Sequence, residues 1–289
     1  MKCIWNSSAK DRKIILKSFK SFIFQICKEE YGQRVLLAAL DSVDDTILIK
    51  HVVIKELLQY LNEIIYHKTA RKVLLYLLGH REASQINKHI LASLSLGDAN
   101  PYSKKCMETR REELLRHLQD PLNEYLCDHL DDIVKTGVAS QVILQAVINT
   151  KGNSKHMLVS ALLDRCGGEH CLLKHDVSGL LVKRIILHSY NSNDLVDFPM
   201  RLWERLEGRL AEYIGSKQAC YTIASLLSER SMDLADRICQ AFSDISFDEY
   251  ATMRACTGDP ATRVLTAQGA LKADLEKFSL SRKETLYFP

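Results

Sequence analysis

The sequence predicts an all-α protein built as an array of helical repeats, and three observations carry that expectation. Apolar residues recur at helical spacing along the whole chain, and strand-type alternation is not sustained anywhere. The 289 residues include only 5 Pro and 12 Gly, too few for the many turns of an all-β fold. Finally, a motif of one small residue, two variable residues and a β-branched one returns about every 40 residues. Its instances are Gly32-Gln33-Arg34-Val35, Ala70-Arg71-Lys72-Val73, Ala139-Ser140-Gln141-Val142, Gly179-Leu180-Leu181-Val182, Ala219-Cys220-Tyr221-Thr222 and Ala261-Thr262-Arg263-Val264.

Taken in order, the elements read as follows. Each motif opens an apolar tract such as Leu36-Leu37-Ala38-Ala39-Leu40 or Ile223-Ala224-Ser225-Leu226-Leu227. The small residue lets that helix approach its neighbour, and the tract fills the space between layers. Ile54, Leu57, Leu58, Leu61, Ile64 and Ile65 form one amphipathic stripe, with Lys55, Glu56, Gln59, Asn62 and Glu63 off it. Leu202, Leu206, Leu210 and Ile214 repeat the pattern at intervals of four. Helix starts are expected at Asp44, Ser84 and Asn193, whose side chains accept a first-turn N–H. The small residues lie 38, 69, 40, 40 and 42 positions apart. The long interval holds one repeat plus an insertion around Gly79–Leu115, with the polar stretch Ser95-Leu96-Gly97-Asp98-Ala99-Asn100-Pro101. Period alone leaves HEAT, armadillo and pumilio-type solenoids open.

Composition bounds the function. The chain is 46% apolar and 26% charged, as expected of a folded soluble protein and not of a disordered one. No apolar run reaches 18 residues, so no membrane span and no membrane partner is expected. Met1–Lys20 lacks the apolar core and cleavage site of a secretory signal. Nine cysteines, odd in number and never in C-x-x-C spacing, read as reduced intracellular thiols. Cys166, His170 and Cys171 cluster around Gly167-Gly168 but lack a nearby fourth ligand, so no metal is expected there. Phosphate-loop, nucleophile-elbow and zinc-helix motifs are absent, so neither catalysis nor a cofactor is expected. The net charge of +3 hides unlike regions. Lys2, Lys10, Arg12, Lys13, Lys17 and Lys20 face Asp11 alone within the first twenty residues, which carry +5 and leave −2 for the rest.

Specific residues narrow the class further. Tyr31-Gly32-Gln33-Arg34-Val35-Leu36-Leu37 resembles the second-helix core of a pumilio (Puf) repeat. Leu36–Asp41 with Asp44-Asp45-Thr46, Arg71–Leu78, and Gly97-Asp98, Asn100 and Ser103-Lys104-Lys105 with Arg110-Arg111 and Leu114-Leu115 resemble one divergent branch, the nucleolar Puf-A or pumilio homolog 3 (penguin-like) family and its CPL domain. The resemblance is strong over residues 11–130 and continues by spacing to about residue 276. It implies a right-handed α-solenoid of Puf/armadillo-like repeats with one insertion, binding nucleic acid in the nucleus and nucleolus. The implied role is pre-rRNA processing and large-subunit assembly, with translational control of bound messages in relatives. The family has further N-terminal repeats and a basic extension, so the chain resembles the C-terminal half. The expected organisation is a basic tail over 1–10, two repeats over 11–78, a CPL-type insertion over 79–130, three repeats and a partial one over 131–276, and a tail over 277–289.

In sequence-specific pumilio proteins each repeat reads one base with two or three side chains. The corresponding trios here are Gln33, Arg34 and Leu37; Arg71, Lys72 and Leu75; Ser140, Gln141 and Leu144; Leu180, Leu181 and Arg184; Cys220, Tyr221 and Ala224. Only Gln33 and Ser140 suit base edges, and each lacks a polar partner, so the reading code is absent. Cations remain, and phosphate contacts give affinity without sequence information. Arg34, Lys68, Arg71 and Lys72 are expected on the concave side, Lys104, Lys105, Arg110 and Arg111 in the insertion, and Lys183 and Arg184 on a later inner helix. Lys183 and Arg184 could equally salt-bridge within the solenoid, and Tyr221 could stack on a base or pack between repeats. Arg201, Arg205 and Arg209 are interleaved with Glu204, Glu207 and Glu212 and read as a solvated ion-paired face.

The expected partner is RNA, pre-rRNA or mRNA, with double-stranded nucleic acid as a further candidate. The chain is expected to act as a monomer. The competing reading is a HEAT-like scaffold for a ribosomal or assembly protein without RNA contact. An acid-free Arg34/Arg71/Lys72 group favours RNA, and one paired to Asp or Glu favours the scaffold.

Overall fold

The computed structural model describes residues 1–167, 171–227, 231–242 and 268–277. These fold into helices without a strand among the described residues. The chain divides into two compact units, 1–158 and 159–289, a division that falls within the three repeats expected over 131–276.

Unit 1 opens with α1 (Lys2–Asn6) and α2 (Ala9–Phe19). The expected tail over 1–10 is thus corrected, because Ile4 and Trp5 are buried. Arg12, also buried, donates to the carbonyls of Ile4, Trp5 and Ser42 at 2.7, 3.1 and 3.0 Å and ties the first turn to the end of α4 (Glu30–Ser42). Between them lies α3 (Ile23–Lys28). Gly32 explains the small-residue rule, since a Cβ there would stand 2.3 Å from the Ile26 carbonyl oxygen. Ala70 and Ala139, at the same motif position, are fully buried.

The apolar stripe from Ile54 to Ile65 is interrupted. After α5 (Thr46–Ile49), it starts at the end of a π-helix (Lys50–Ile54) and runs through α6 (Lys55–Gln59) and, past a break at Tyr60, α7 (Leu61–Ile64). Asp45, not Asp44, caps α5, accepting from the Leu48 N–H at 2.9 Å, because the Asp44 carboxylate is engaged by the insertion. The repeat then continues with α8 (Arg71–Gly79). In the insertion α9 (Lys88–Ser95) starts at Asn87, which accepts from His89 N–H, while the expected cap Ser84 donates instead to Glu82. The unit closes with α10 (Met107–Asp128), α11 (Leu130–Ile133), α12 (Gly137–Asn149) and the start of α13 (Asn153–Asp164).

Unit 2 holds the end of α13, then α14 (Asp176–Ser189), α15 (Phe198–Leu206), α16 (Leu210–Ile214), α17 (Lys217–Ala224), α18 (Met232–Phe242) and a last helix over 268–277. Asn193 opens only a 3-10 turn, Asn193–Leu195. Leu202, Leu206, Leu210 and Ile214 are all buried, yet they lie on two helices broken at Gly208, whose φ of +87° favours glycine. Cys166 and Cys171 are buried, and the Cys171 thiol donates to the Cys166 carbonyl at 2.5 Å. Their companion His170, the motif at Ala261–Val264 and the tail after residue 277 lie outside the described residues.

The fourth motif sits one residue earlier than its sequence suggests. Gly32, Ala139 and Ala219 each occupy the third position of their helices, and in α14 that position is Ser178. Burial agrees: Gly179, Leu181 and Val182 are buried where Cys220, Thr222 and Ile223 are buried in α17. The outward positions of that repeat are therefore Leu180 and Lys183. Tertiary hydrogen bonds follow the same period. Gln33 reaches Thr69, Arg205 reaches Asp164 and Gln218 reaches Asp176, spanning 36, 41 and 42 residues.

Candidate nucleic-acid interface

The first inner helices confirm by burial what their composition implied. Gln33, the polar residue suited to a base edge, is fully buried and donates its amide N–H to the Thr69 carbonyl at 3.3 Å. Ser140 is buried and donates to the Gly137 carbonyl at 3.1 Å. Leu37, Leu75 and Leu144 are core residues. The positions that read bases elsewhere thus serve the packing of the repeats.

The cations of unit 1 divide sharply. Lys68 is exposed and Lys72 half-buried, and neither forms a salt bridge among the described residues. The turn between them is fixed by His67, whose Nδ1 accepts the N–H groups of Thr69 and Ala70 at 3.3 and 3.1 Å. Arg71, at the start of α8, is only 8% exposed, and its Nε and Nη1 have no hydrogen-bond partner. Burial lowers its pKa, and no carboxylate opposes that effect. Arg34 differs: it pairs with Glu30 one turn earlier at 2.5 Å and lies 5.2 Å from the centroid of the Tyr31 ring.

The insertion cations turn inward, which corrects the expectation of a phosphate site there. Arg110 is buried and donates to Asp44 Oδ1 and the Lys105 carbonyl at 2.8 Å each, and also to the Asp41 carbonyl and Ser103 Oγ. Lys105 Nζ pairs with Glu113 at 2.6 Å. Arg111 donates to the Leu78 carbonyl at 3.1 Å and Asn149 Oδ1 at 3.0 Å. Asp44 also accepts the backbone N–H groups of Lys104 and Lys105 at 2.6 and 3.2 Å. Burial pushes the Asp44 carboxyl up, but the bonds from Arg110, Lys104, Ser103 and Lys105 outweigh it and hold the pKa at about 2. Asp41 anchors the other end through Tyr76 and Arg81, and Arg81 also reaches Asp98. The residues that single out the insertion in sequence are therefore those that clamp it to α4. Only the side chain of Lys104 stays exposed without a salt bridge among the described residues.

In unit 2 Lys183 lies 5.5 Å from the Tyr221 ring centroid, so that tyrosine carries a cation–π contact, and Arg184 is exposed. The arginine stripe is engaged, Arg209 with the Glu212 its spacing suggested and the other two with other partners. Arg205 pairs with Asp164 and Arg201 donates to Ser160 Oγ, while Arg209 pairs with Glu212 at 2.9 Å. Glu207 instead takes Arg237 at 2.5 Å.

These features match known proteins. The family model of the CPL (NUC119) domain matches residues 66–194, a longer span than the insertion. Pumilio homolog 3 of Danio rerio is 38% identical over 166 residues, 57% of this chain and 26% of that protein. The crystal structure of human Puf-A superposes with a TM-score of 0.80 at 26% identity, covering 93% of this chain and 53% of that one. Human Puf-A in complex with DNA gives 0.78 at 29% identity, covering 83% and 49%. The chain is therefore a Puf-type helical-repeat protein with a CPL domain. More narrowly, it is similar to the Puf-A, or pumilio homolog 3, proteins, and its match spans about a quarter of the length of the curated relative.

Proposed function

We propose that this chain binds nucleic acid through phosphate contacts with little base selectivity, using Lys68, Arg71 and Lys72 in unit 1 and Lys183 and Arg184 in unit 2. The observation that carries the reading is Arg71. A guanidinium taken out of water with two N–H groups unsatisfied is costly unless something completes it. No carboxylate among the described residues does so, and a phosphate oxygen would. The solved complex of human Puf-A with DNA supports the ligand class. The loss of base-edge groups at Gln33 and Ser140 supports the lack of selectivity.

The biological setting we infer is nucleolar pre-rRNA processing and large-subunit ribosome assembly, together with translational regulation, and it rests on the family. RNA is the proposed ligand there. One observation favours the scaffold reading: Arg34 is satisfied by Glu30, so the inward group is acid-free only at Arg71 and Lys72.

Fluorescence anisotropy against salt tests the reading. Single-stranded RNAs of different sequence should bind within a few-fold of one another. Log affinity should fall with log salt, by about 0.7 in slope for each phosphate neutralised. The double change Lys68→Glu and Lys72→Glu should flatten that slope. One strongly preferred sequence, or an unchanged slope, contradicts the proposal.

A further inference from the structure

A second basic surface lies on unit 1, away from the residues considered so far in the chain. On α2, Lys10, Lys13 and Lys17 stand at intervals of 3 and 4 and share one helical face, and Lys20 follows at the helix C-terminus. All are exposed, whereas Arg12 is buried and bonded to carbonyls. Asp11, the acid within this helix, accepts a hydrogen bond from Ser8 Oγ at 2.7 Å at its N-terminus. The π-helix packs against α2 and adds exposed Lys50 and His51, followed by exposed Lys55. None of these five lysines of the pair Lys10–Lys20 and Lys55, nor Lys50, forms a salt bridge among the described residues.

A groove of about 570 Å³ lies at the C-terminal end of α2, lined by Lys20, Ser21, His51, Lys55, Glu56 and Tyr60 among others. That volume falls in the range of roughly 300–1,000 Å³ common to ligand sites. Its one carboxylate is occupied. Glu56 is 9% exposed, and its two oxygens accept the backbone N–H groups of Ser21 at 2.8 Å and Phe24 at 3.2 Å. The floor is unusual backbone: Ser21 has φ +71° and residues 50–54 form a π-helix, a form frequent at functional sites. Tyr60 stacks on Phe24 at 4.6 Å and 7° and keeps 38% of its surface exposed.

We propose that this groove is a separate site for single-stranded nucleic acid. Lys13, Lys17, Lys20 and Lys55 take successive phosphates, and the Tyr60 ring, held by Phe24, stacks a base. Aromatic platforms beside a basic track are how single strands are held without sequence preference. The inference shares its ligand class with the proposed function but none of its residues.

Two measurements on the full chain test it with a fluorescent mixed-sequence oligoribonucleotide. First, lysine acetylation of the unaltered protein, with and without the oligonucleotide, should show Lys13, Lys17, Lys20 and Lys55 protected. Second, changing Lys13, Lys17 and Lys20 to Gln should lower the salt slope by about 2, and Tyr60→Ala should weaken binding about tenfold while Tyr60→Phe retains it. These lysines are exposed, so the Gln variant should keep its melting temperature. Protection confined to Lys68 and Lys72, with the α2 variant binding normally, overturns the groove and spares the inner face. The reverse pattern supports the groove and removes the inner-face reading.

Discussion

The insertion and the start of α8 carry the same kinds of side chain and use them in opposite ways. Around Lys104–Arg111 four cations lie close in sequence, but Asp44 and Glu113 pair with Arg110 and Lys105, and Arg110 ends buried with both Nη groups bonded to its own chain. At Lys68–Lys72 three cations meet no acid among the described residues, and Arg71 is buried with two N–H groups unpaired. Density of positive charge is therefore a poor guide to a ligand site. What distinguishes the two regions is whether the fold supplies the counter-charge.

Removing the clamp should have the largest effect. Arg110→Ala leaves the half-buried Asp44 to Ser103 Oγ and the backbone N–H groups of Lys104 and Lys105, and each lost hydrogen bond to a charged group typically costs about 1.5–3 kcal/mol. Urea unfolding should show that loss while the affinity of the folded protein for nucleic acid is unchanged. A stable variant with weakened binding would reverse the roles assigned to the two regions.

The clamp should also be acid-labile. Asp44 titrates at about 2 in the folded protein, below its ordinary value of 3.8. The stability it contributes is complete above pH 4 and is lost as the pH falls from 4 to 2, about 2 kcal/mol in all. Asp44→Asn should flatten that part of the stability curve. Equal acid sensitivity in the two proteins would contradict it.

A smaller effect distinguishes the two regions from the other side. Lys72→Glu should weaken nucleic-acid binding about tenfold with its melting temperature within a degree or two, since surface changes usually cost under about 0.5 kcal/mol. Smallest of all, Glu30→Gln removes an exposed i,i+4 pair worth about 0.3–0.5 kcal/mol. It frees Arg34, and a modest gain in affinity should follow. No gain would leave Arg34 outside the interface.

The repeat architecture was legible because its signal is local. A Cβ at position 32 would stand 2.3 Å from the Ile26 carbonyl oxygen, so that position takes glycine, while the corresponding Ala70, Ala139 and Ala219 are small and fully buried. The register of the fourth repeat was not legible. Ser178 and Gly179 are adjacent small residues and both are buried; Ser178 holds the third position of its helix, while a Cβ at Gly179 would stand 2.9 Å from the Gln218 Cβ. The N-terminal tail was misread for a related reason, since the bond from Arg12 to Ser42 that fixes Ile4 and Trp5 spans 30 residues.

The site was legible in part. Lys68, Arg71 and Lys72 were picked out by repeat position, and the structure leaves them without acids. Arg110 and Arg111 were misassigned because their partners are remote: Asp44 lies 66 residues before Arg110 and read as a helix cap. His67, which fixes the turn bearing Lys68, gave no signal, because a lone histidine before a helix has many uses.

The most direct test is Arg71→Met, read both for stability and for binding. If Arg71 is kept charged and unpaired for a phosphate, methionine should remove a buried, unsatisfied group and raise stability by about 1 kcal/mol or more. In the same protein the affinity for single-stranded RNA should fall about tenfold and the salt slope by about 0.7. Lower stability with unchanged binding would contradict the account, showing that Arg71, like Arg110, belongs to the fold.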